Sequence, residues 1–377
     1  MKHTRRFVSI FSVVIALSAA TAIHVRASEH KNVSAAQSGR FKILGPLRHR
    51  NLAPYLVKGK DVIRSTKFVT LEQALKDEKV LVEETGNVGS LVISSKYTKE
   101  HVFIQAGDIV RGGKQDRTLG TDLVVPPGAK RMALQSFCVE SGRWQARGAE
   151  DIEKFSMSTN QVASRELRIA SRYRKSQQDV WENVGGLQEK LARNAGEPVQ
   201  SPVSSSSLEL TLDNKEVKRR AESYLKALLD IVKDRKHIVG FVFAINGQFN
   251  TADVYGSEDL FGRLWPKLLR TAAVEAFAEL QKEERFRTPS TRAAAAFLAY
   301  PEKSQVQRNR VNEWLTVITH EAKDKVIFES LFTKEHALVH ISTVRLDEKD
   351  RDVPRSEPQQ SQQQNQLRDL RQPRRRR

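Results

Sequence analysis

The sequence predicts an α+β protein, with an antiparallel, β-rich N-terminal half of sandwich or barrel-like form and a helical and mixed α/β C-terminal half. Between residues 41 and 139, short apolar or alternating runs follow one another closely, and Gly and Pro turns separate several of them. Short strands at such spacing are typical of a sandwich or barrel. After residue 207, apolar side chains recur at helical spacing, and strand-like runs lie between these helices.

In the first half, one predicted helix interrupts a series of strands. Thr70 can cap this helix over 71–77, and Glu72 and Lys76 form an i,i+4 pair. Beyond residue 144 the pattern becomes helical, at 161–175 and then along an apolar face from Trp181 to Leu191. The predicted strands are 41–44, 55–57, 91–93, 102–104, 123–125 and 132–139.

The second half alternates helices with strands. Apolar residues from 217 to 232 fall at helical spacing, and Asp213 can cap that helix. The buried run 238–245 leads into Asn246-Gly247, a strong hairpin signal. Helices are predicted to begin after Ser257 and Ser290, and Pro266 predicts a kink or a new start in the first of them. The last two strands are predicted at 326–332 and 337–344.

The two ends of the chain differ in composition from the body. A basic head, an apolar run over 7–23 and Val25-Arg26-Ala27, with small residues at its first and third positions, follow the three-part plan of a signal peptide, which predicts export to the periplasm or medium. A retained membrane anchor is the alternative reading of that run. The predicted segments are a signal peptide at 1–27, a flexible leader at 28–40, a β-rich part with following helices at 41–195, a linker at 196–207, a mixed α/β part at 208–348 and a disordered Gln/Arg-rich tail at 349–377.

The chain is strongly basic. It has 63 Lys and Arg against 45 Asp and Glu, a formal net charge of +18. Such an excess favours an anionic ligand or polymer as partner. The tail ends in four consecutive Arg residues, which predicts association with nucleic acid or an anionic membrane surface. After cleavage of the signal peptide no apolar run long enough to span a bilayer is left.

The segment from Gly112 to Trp144 contains the highest density of candidate binding and catalytic residues in the chain. Gly112 and Gly113 allow a sharp turn or a close approach to a ligand, and four polar residues follow at once: Lys114, Gln115, Asp116 and Arg117. We interpret this loop, together with Arg143, as a candidate ligand-binding surface. Four consecutive polar side chains between two strands cannot all be buried, so they are expected to be solvated or to line a site.

Two residues beyond that loop are weak candidates for catalysis. Cys138 and Glu140 lie two apart and share one face of a predicted strand. A neighbouring Arg or Lys would lower the thiol pKa and activate a nucleophile, and Glu140 would serve as a base. The alternatives are that Cys138 is a small buried apolar side chain and that Glu140 forms a structural ion pair with Arg143 or Arg117. Cys138 is the only cysteine, so an internal disulfide is excluded.

Common catalytic and metal motifs are absent from the sequence. It holds no His-Glu-x-x-His motif, no cysteine pair for zinc and no Gly-x-Ser-x-Gly, so it predicts no metal site and identifies no cofactor. His336 and His340 have a spacing that suits a metal on a helix, but the alternation around His340 indicates a strand. Asp253 follows a hairpin strand and is interpreted as a turn or surface residue, with a catalytic role as the alternative.

Several separated motifs resemble one known family. Gly112 to Thr118, followed by Cys138 to Trp144, is similar to the signature of the ARPP family, the ARG and rhodanese-phosphatase-superfamily-associated proteins. Gln178 to Trp181 and the stretch 240–269 resemble it too, so the resemblance covers most of the chain from about 41 to 344. It implies association with ADP-ribosylglycohydrolase-type proteins, and hence ADP-ribose or nucleotide chemistry, but no particular reaction.

Three functions follow as hypotheses. The first is an exported binding or interaction module for an anionic ligand, recognised by the 112–117 loop with Glu140 and Arg143. The second is a hydrolase or transferase on a phosphate-bearing or ADP-ribose-like substrate, with Glu140 as base, Cys138 as a weaker nucleophile, and Lys114, Arg117 and Arg143 holding anions. The third is a polyanion-binding protein that acts through its tail.

Overall fold

The computed structural model describes residues 40–87, 89–143, 152–281 and 285–351. The predicted signal peptide, all but the last residue of the leader, and the tail from residue 352 lie outside this part of the chain, as does Trp144. No helix in the described ranges is long and apolar enough to cross a membrane.

A large antiparallel sheet of eight strands organises the molecule. Strand β2 lies before the predicted linker and pairs with β12 after it, with Val242 opposite Tyr55. The two sides of the 196–207 segment therefore contribute strands to one sheet. The order across the sheet is β1 (Lys42–Leu44), β2 (Leu52–Lys58), β12 (Ile238–Ile245), β13 (Gln248–Tyr255), β17 (Ala337–Arg345), β16 (Lys325–Phe332), β15 (Leu315–Glu321) and β14 (Gln305–Arg310).

Two smaller sheets are built from the first half. The six-stranded sheet is antiparallel. In the three-stranded sheet one pair, β3 with β6, is parallel. The β-rich first half and mixed second half confirm the predicted α+β class. The strand orders are β11 (Phe155–Val162), β7 (Asp108–Gly112), β8 (Arg117–Leu119), β10 (Met132–Cys138), β5 (Ser90–Ser95) and β4 (Val80–Glu84), and then β3 (Phe68–Thr70), β6 (His101–Ile104) and β9 (Leu123–Val125).

The helices cover the sheets and are well capped. Thr70 Oγ1 accepts a hydrogen bond from the Gln73 N–H, which confirms the predicted cap. Asn214, rather than the predicted Asp213, caps α5, because its side chain accepts from the N–H groups of Glu216 and Val217. The helices are α1 (Leu71–Lys76), α2 (Arg165–Arg168) continued by a π-helix (Ile169–Arg174), α3 (Gln177–Ala195), α4 (Leu208–Leu212), α5 (Lys215–Leu228), α6 (Glu258–Ala278) and α7 (Thr291–Leu298), with 3₁₀ turns at Leu229–Val232 and Glu348–Asp350.

Helix α6 is the central helix, and it continues through Pro266 without interruption. The predicted fresh start at this residue is therefore wrong. Proline costs about 3 kcal/mol in a helix interior, whereas burying one leucine contributes about 2 kcal/mol. Leu264, Leu268 and Leu269 are all buried, so packing outweighs the lost backbone hydrogen bond. The helix packs against α5, β11 and β12 in the largest hydrophobic core.

The hairpin between β12 and β13 confirms another prediction. It also forms one wall of an open cleft. Asn246 and Gly247 both have positive φ, 53° and 75°. This is the combination that a two-residue type I′ turn needs. The predicted helix at 161–175 instead begins at Arg165, after β11 ends at Val162.

Candidate functional site

The Gly112-Gly113 pair ends β7 and makes a tight turn against β11. Both residues have positive φ, 122° and 56°. A Cβ added to Gly113 would lie 2.3 Å from the Phe155 ring, and one added to Gly112 would lie 2.7 Å from the Lys154 carbonyl oxygen. The two glycines are therefore required for close packing of the protein's own backbone.

The predicted site residues come together, and most of them are enclosed. Arg143 Nε donates to Glu140 Oε2 at 2.6 Å, and its Nη2 lies 3.5 Å from Asp116 Oδ1. Arg143 Nη1 also donates to the Gly113 carbonyl at 3.4 Å. Ser204, from the predicted linker, donates to Glu140 Oε1 at 2.6 Å. Glu140 and Asp116 are fully buried, so this is an internal ion-pair network.

The rest of the 114–117 loop turns inward except at Lys114. Gln115 and Arg117 are buried, and the side chain of Lys114 is exposed. Arg117 Nη2 lies 3.5 Å from Glu84 Oε1, which also accepts the Lys114 backbone N–H at 3.2 Å. The charges of this loop are thus largely balanced by carboxylates of the same chain. Lys114 is the member of the loop that solvent reaches.

Cys138 lies in the interior at the end of β10. Burial raises the pKa of its thiol, and this effect outweighs the lowering by Arg117. The Gln177 side chain accepts a hydrogen bond from the Cys138 backbone N–H and donates one to the Cys138 carbonyl oxygen, both at 2.8 Å. This environment disfavours a thiolate and supports the interpretation as a small buried apolar side chain.

A second charged network lies deep between the eight-stranded sheet and the π-helix. His340 Nδ1 is 2.9 Å from Asp122 Oδ2, and its Nε2 is 3.1 Å from Asp253 Oδ1. Arg168 binds both oxygens of Asp253 at 3.0 and 2.8 Å, and Arg172 binds Asp122 at 2.9 Å. The interpretation of Asp253 as a turn or surface residue is wrong, because it is fully buried.

The protonation of this network follows from its geometry. Burial alone would lower the pKa of His340, but the carboxylates of Asp122 and Asp253 raise it above its usual value. Burial opposes ionisation of Asp253, yet Arg168 and His340 lower its pKa to about 2. The His340 ring stacks on Tyr255 at 4.7 Å. A closed, mutually charged cluster of this kind fixes the packing of the strands against the helix.

An open cleft of about 510 Å³ lies at the N-terminal end of α2, the helix that the π-helix continues. Its walls are the N-terminus of α2, one face of α3, the β12–β13 hairpin, the C-terminal end of α6 and residues 345–349. Five amide side chains line it: Asn183, Asn246, Gln248, Asn250 and Gln281.

Glu275 forms the floor of the cleft. Its Oε1 accepts the Arg165 N–H at 2.7 Å, so the carboxyl group caps the N-terminus of the helix that begins there. Asn250 Nδ2 lies 3.3 Å from the same oxygen. Burial, with a smaller contribution from the charge of Glu166, raises the pKa of Glu275 to about 7. Asn250 is 8 % exposed, and its Oδ1 finds no hydrogen-bond partner among the described residues.

Glu166 also lines the cleft, but its surroundings shift the pKa of its carboxyl group in the opposite direction from that of Glu275. Arg165 Nη2 donates to its Oε1 at 2.9 Å, and Lys190 adds a second positive charge. Burial works against ionisation, but these two cations keep the pKa of Glu166 below its usual value. Lys190 is itself held by Glu279 at 2.5 Å. The cleft therefore contains one carboxyl group that favours the neutral form and one that favours the ionised form.

Residues 40–344 match the family model of the ARG and Rhodanese-Phosphatase-superfamily-associated Protein domain, ARPP-1. The chain belongs to this family. The match confirms the resemblance drawn from the loop and strand motifs. Neither the curated proteins nor the solved structures provide a match. The ARPP-1 match includes the enclosed 112–117 loop and every cleft residue up to 344, whereas Arg345, Asp347 and Lys349 lie just beyond its end.

In this ARPP-1 domain, sequence reasoning missed the cleft residues Glu275, Asn250 and Glu166. One signal was available for Glu275: it is a single carboxylate inside the apolar, Ala-rich run from Ala272 to Ala278. A charge in a helix that is buried on all sides requires a specific partner or a function. No group of three or more His, Cys, Asp or Glu side chains able to hold a metal occurs in the described ranges.

Proposed function

We propose that the protein is an exported ligand-binding protein whose site is the cleft above Glu275, and that its ligand is a small polar molecule with hydroxyl groups and an anionic group. One observation carries this proposal. Asn250 Oδ1, an acceptor more than nine-tenths buried at the cleft floor, has no hydrogen-bond partner in the described ranges. An unsatisfied buried acceptor costs about 1 to 3 kcal/mol, which a ligand hydroxyl would recover.

The size and chemistry of the cleft support a small hydroxylated ligand. Its volume of about 510 Å³ lies within the usual range of small-molecule sites, about 300 to 1,000 Å³. Amide side chains both donate and accept hydrogen bonds, so they can bind a ligand hydroxyl group as either donor or acceptor. The exposed Lys349 supplies positive charge on the wall for an anionic group, whereas Lys190 is already paired with Glu279. The formal net charge of +18, which becomes +14 when Lys2, Arg5, Arg6 and Arg26 are removed with the signal peptide, favours the approach of an anion.

The predicted 112–117 loop supports this function less well than the cleft. Arg117 and Arg143 already face Glu84, Glu140 and Asp116, so an anionic ligand would have to displace internal partners. Breaking a buried ion pair costs about 3 to 5 kcal/mol. Lys114 is exposed and offers a single charge.

The test is isothermal titration calorimetry with three probes: ribose 5-phosphate, ribose and inorganic phosphate. We expect ribose 5-phosphate to bind most tightly, because it presents both hydroxyl and anionic groups. Asn250→Ala should weaken its binding about 10-fold or more, from the loss of a buried hydrogen bond. Lys114→Ala is the matched control and should leave binding unchanged. Binding that is lost in Lys114→Ala and kept in Asn250→Ala would move the site to the loop, and absence of binding by all three probes would contradict the proposal.

We also propose that the protein is exported with cleavage near Ala27, on the strength of the basic head and apolar run of its N-terminus. The test is the intact mass of the protein recovered from a bacterial host. Loss of residues 1–27 with recovery in the periplasm or medium is expected. A full-length chain held in the membrane fraction would support the anchor instead.

A further inference from the structure

We propose that the cleft is catalytic and that Glu275 and Glu166 act as acid and base in the hydrolysis of a glycosidic bond. The inference rests on the proposed function, since it assigns a reaction to the same cleft. Both side chains line that cleft, at the N-terminus of α2 and the C-terminal end of α6.

The position of Glu275 suits a proton donor. It is 6 % exposed, and α6 and the start of α2 hold it at the floor. The Arg165 N–H and the Asn250 amide both contact Oε1, which fixes the orientation of the carboxyl group. The pKa of about 7, caused first by burial and then by Glu166, leaves a large share of Glu275 protonated at neutral pH. A general acid is most effective when its pKa lies near the working pH.

The position of Glu166 suits a base. Its side chain is 24 % exposed, so water reaches it. Arg165 and Lys190 hold it in the ionised form. Glu275 Oε1 accepts the N–H of Arg165, the residue that precedes Glu166, so the two side chains approach the same end of the cleft. Two carboxyl groups with pKa values driven apart by their surroundings are the usual basis for assigning an acid and a base.

The reaction balances without a further reactant. Glu275 gives its proton to the glycosidic oxygen as the bond from that oxygen to the anomeric carbon breaks. Glu166 removes a proton from a water molecule while the water oxygen bonds to the anomeric carbon. The products are a hemiacetal and an alcohol, one water is consumed, and the proton on Glu166 returns to Glu275 through solvent.

The surrounding amides favour a sugar over a phosphate ester. Phosphoryl transfer needs cations that face the equatorial oxygens, and Arg165 is already bound by Glu166, Asp347 and Asp350. Asn250 Oδ1 instead offers a buried acceptor to a sugar hydroxyl, whereas Asn246 is already bound by Asn51 and the Glu279 carbonyl.

The experiment uses the mature full chain and a panel of 4-nitrophenyl glycosides, pyranosides and furanosides of both anomers, with the matching methyl glycosides. We expect hydrolysis of at least one sugar in both forms. Glu275→Gln should lower kcat about 10²-fold to 10⁴-fold for the methyl glycoside. It should lower kcat much less for the 4-nitrophenyl glycoside, because nitrophenolate leaves without protonation. Glu166→Gln should impair both substrates alike.

A structural role of Glu275 would affect both leaving groups equally, so this difference separates the two roles. The alkaline limb of the kcat profile near pH 7 should disappear in Glu275→Gln. Glu83→Gln, at a carboxylate that pairs with Arg131 and does not line the cleft, is the matched control and should keep wild-type turnover. Circular dichroism and ribose 5-phosphate binding check the fold and site of each variant.

The outcomes separate this inference from the proposed function. Binding without hydrolysis of any glycoside overturns the catalytic inference and leaves the binding function in place. Turnover of 4-nitrophenyl phosphate, measured in parallel, with no glycosidase activity would also overturn it. Absence of both binding and turnover contradicts the proposed function as well.

Discussion

Replacing Glu275 with Gln should change how the stability of the protein depends on pH. In the folded protein, burial and the charge of Glu166 raise the pKa of Glu275 from 4.5 to about 7. The native state therefore holds a proton that the unfolded chain has already lost between these two values. Below pH 4.5 this proton makes its full contribution to the unfolding free energy of the wild type. The contribution is lost as the pH rises through about 7.

The magnitude follows from the difference between the two pKa values. Each unit corresponds to about 1.4 kcal/mol, so the wild type should lose about 3 kcal/mol of unfolding free energy through Glu275 between pH 4.5 and pH 8. Gln has the same shape, keeps an oxygen for the Arg165 N–H and does not ionise. Relative to wild type, Glu275→Gln should thus become more stable by about 3 kcal/mol over this interval.

The assay is urea unfolding of both proteins at several pH values from 4.5 to 8, followed by circular dichroism. Glu279→Gln serves as the control, since its carboxylate is 40 % exposed and pairs with Lys190 at the cleft. A stability difference between Glu275→Gln and wild type that stays constant with pH would refute the reasoning. So would a difference that shrinks as the pH rises.

Three further predictions concern the interior. Asp253→Ala should lower the unfolding free energy by about 3 to 5 kcal/mol, measured by urea denaturation, because it leaves Arg168 as an uncompensated buried charge. Lys325→Met should cost about 2 to 3 kcal/mol in the same assay, since the buried ammonium donates to three backbone carbonyls at the end of α7. The Cys138 thiol should resist a thiol reagent such as 5,5′-dithiobis(2-nitrobenzoate) in the native protein and react once it is denatured; rapid native reaction would contradict its enclosed position.

Features set by a few neighbouring residues were predictable from the sequence. The cap at Thr70 and the turn at Asn246-Gly247 depend on local backbone geometry, and both were predicted correctly. Strand β14 was not predicted, because all of its side chains are exposed and its sequence has no apolar face. Strand β14 forms because it pairs with β15, and no local sequence pattern indicates that pairing.

The candidate site also depends on distant residues, so it was even harder to predict from local sequence. The consecutive polar residues 114–117 suggested a solvated or ligand-lined loop, yet Gln115, Asp116 and Arg117 are buried. Distant residues supply their partners: Glu84 and Arg143 come from other strands and loops. Polar composition alone cannot distinguish a loop that binds a ligand from one that binds its own chain. Glu275 is the reverse case, a carboxylate in an apolar run whose exposure to a cleft depends on where α2 begins.

The short helix from Arg165 to Arg174 links the cleft to the buried network around His340. Its N-terminal N–H binds Glu275 and its first two side chains line the cleft. One turn later, Arg168 binds Asp253, and Arg172 in the π-helix binds Asp122. Both guanidinium groups thereby reach buried carboxylates, Asp253 on β13 and Asp122 in the loop before β9. The buried network therefore anchors the helix whose other end shapes the cleft. It follows that Asp253→Ala should weaken ligand binding at the cleft as well as stability, although Asp253 itself does not line it.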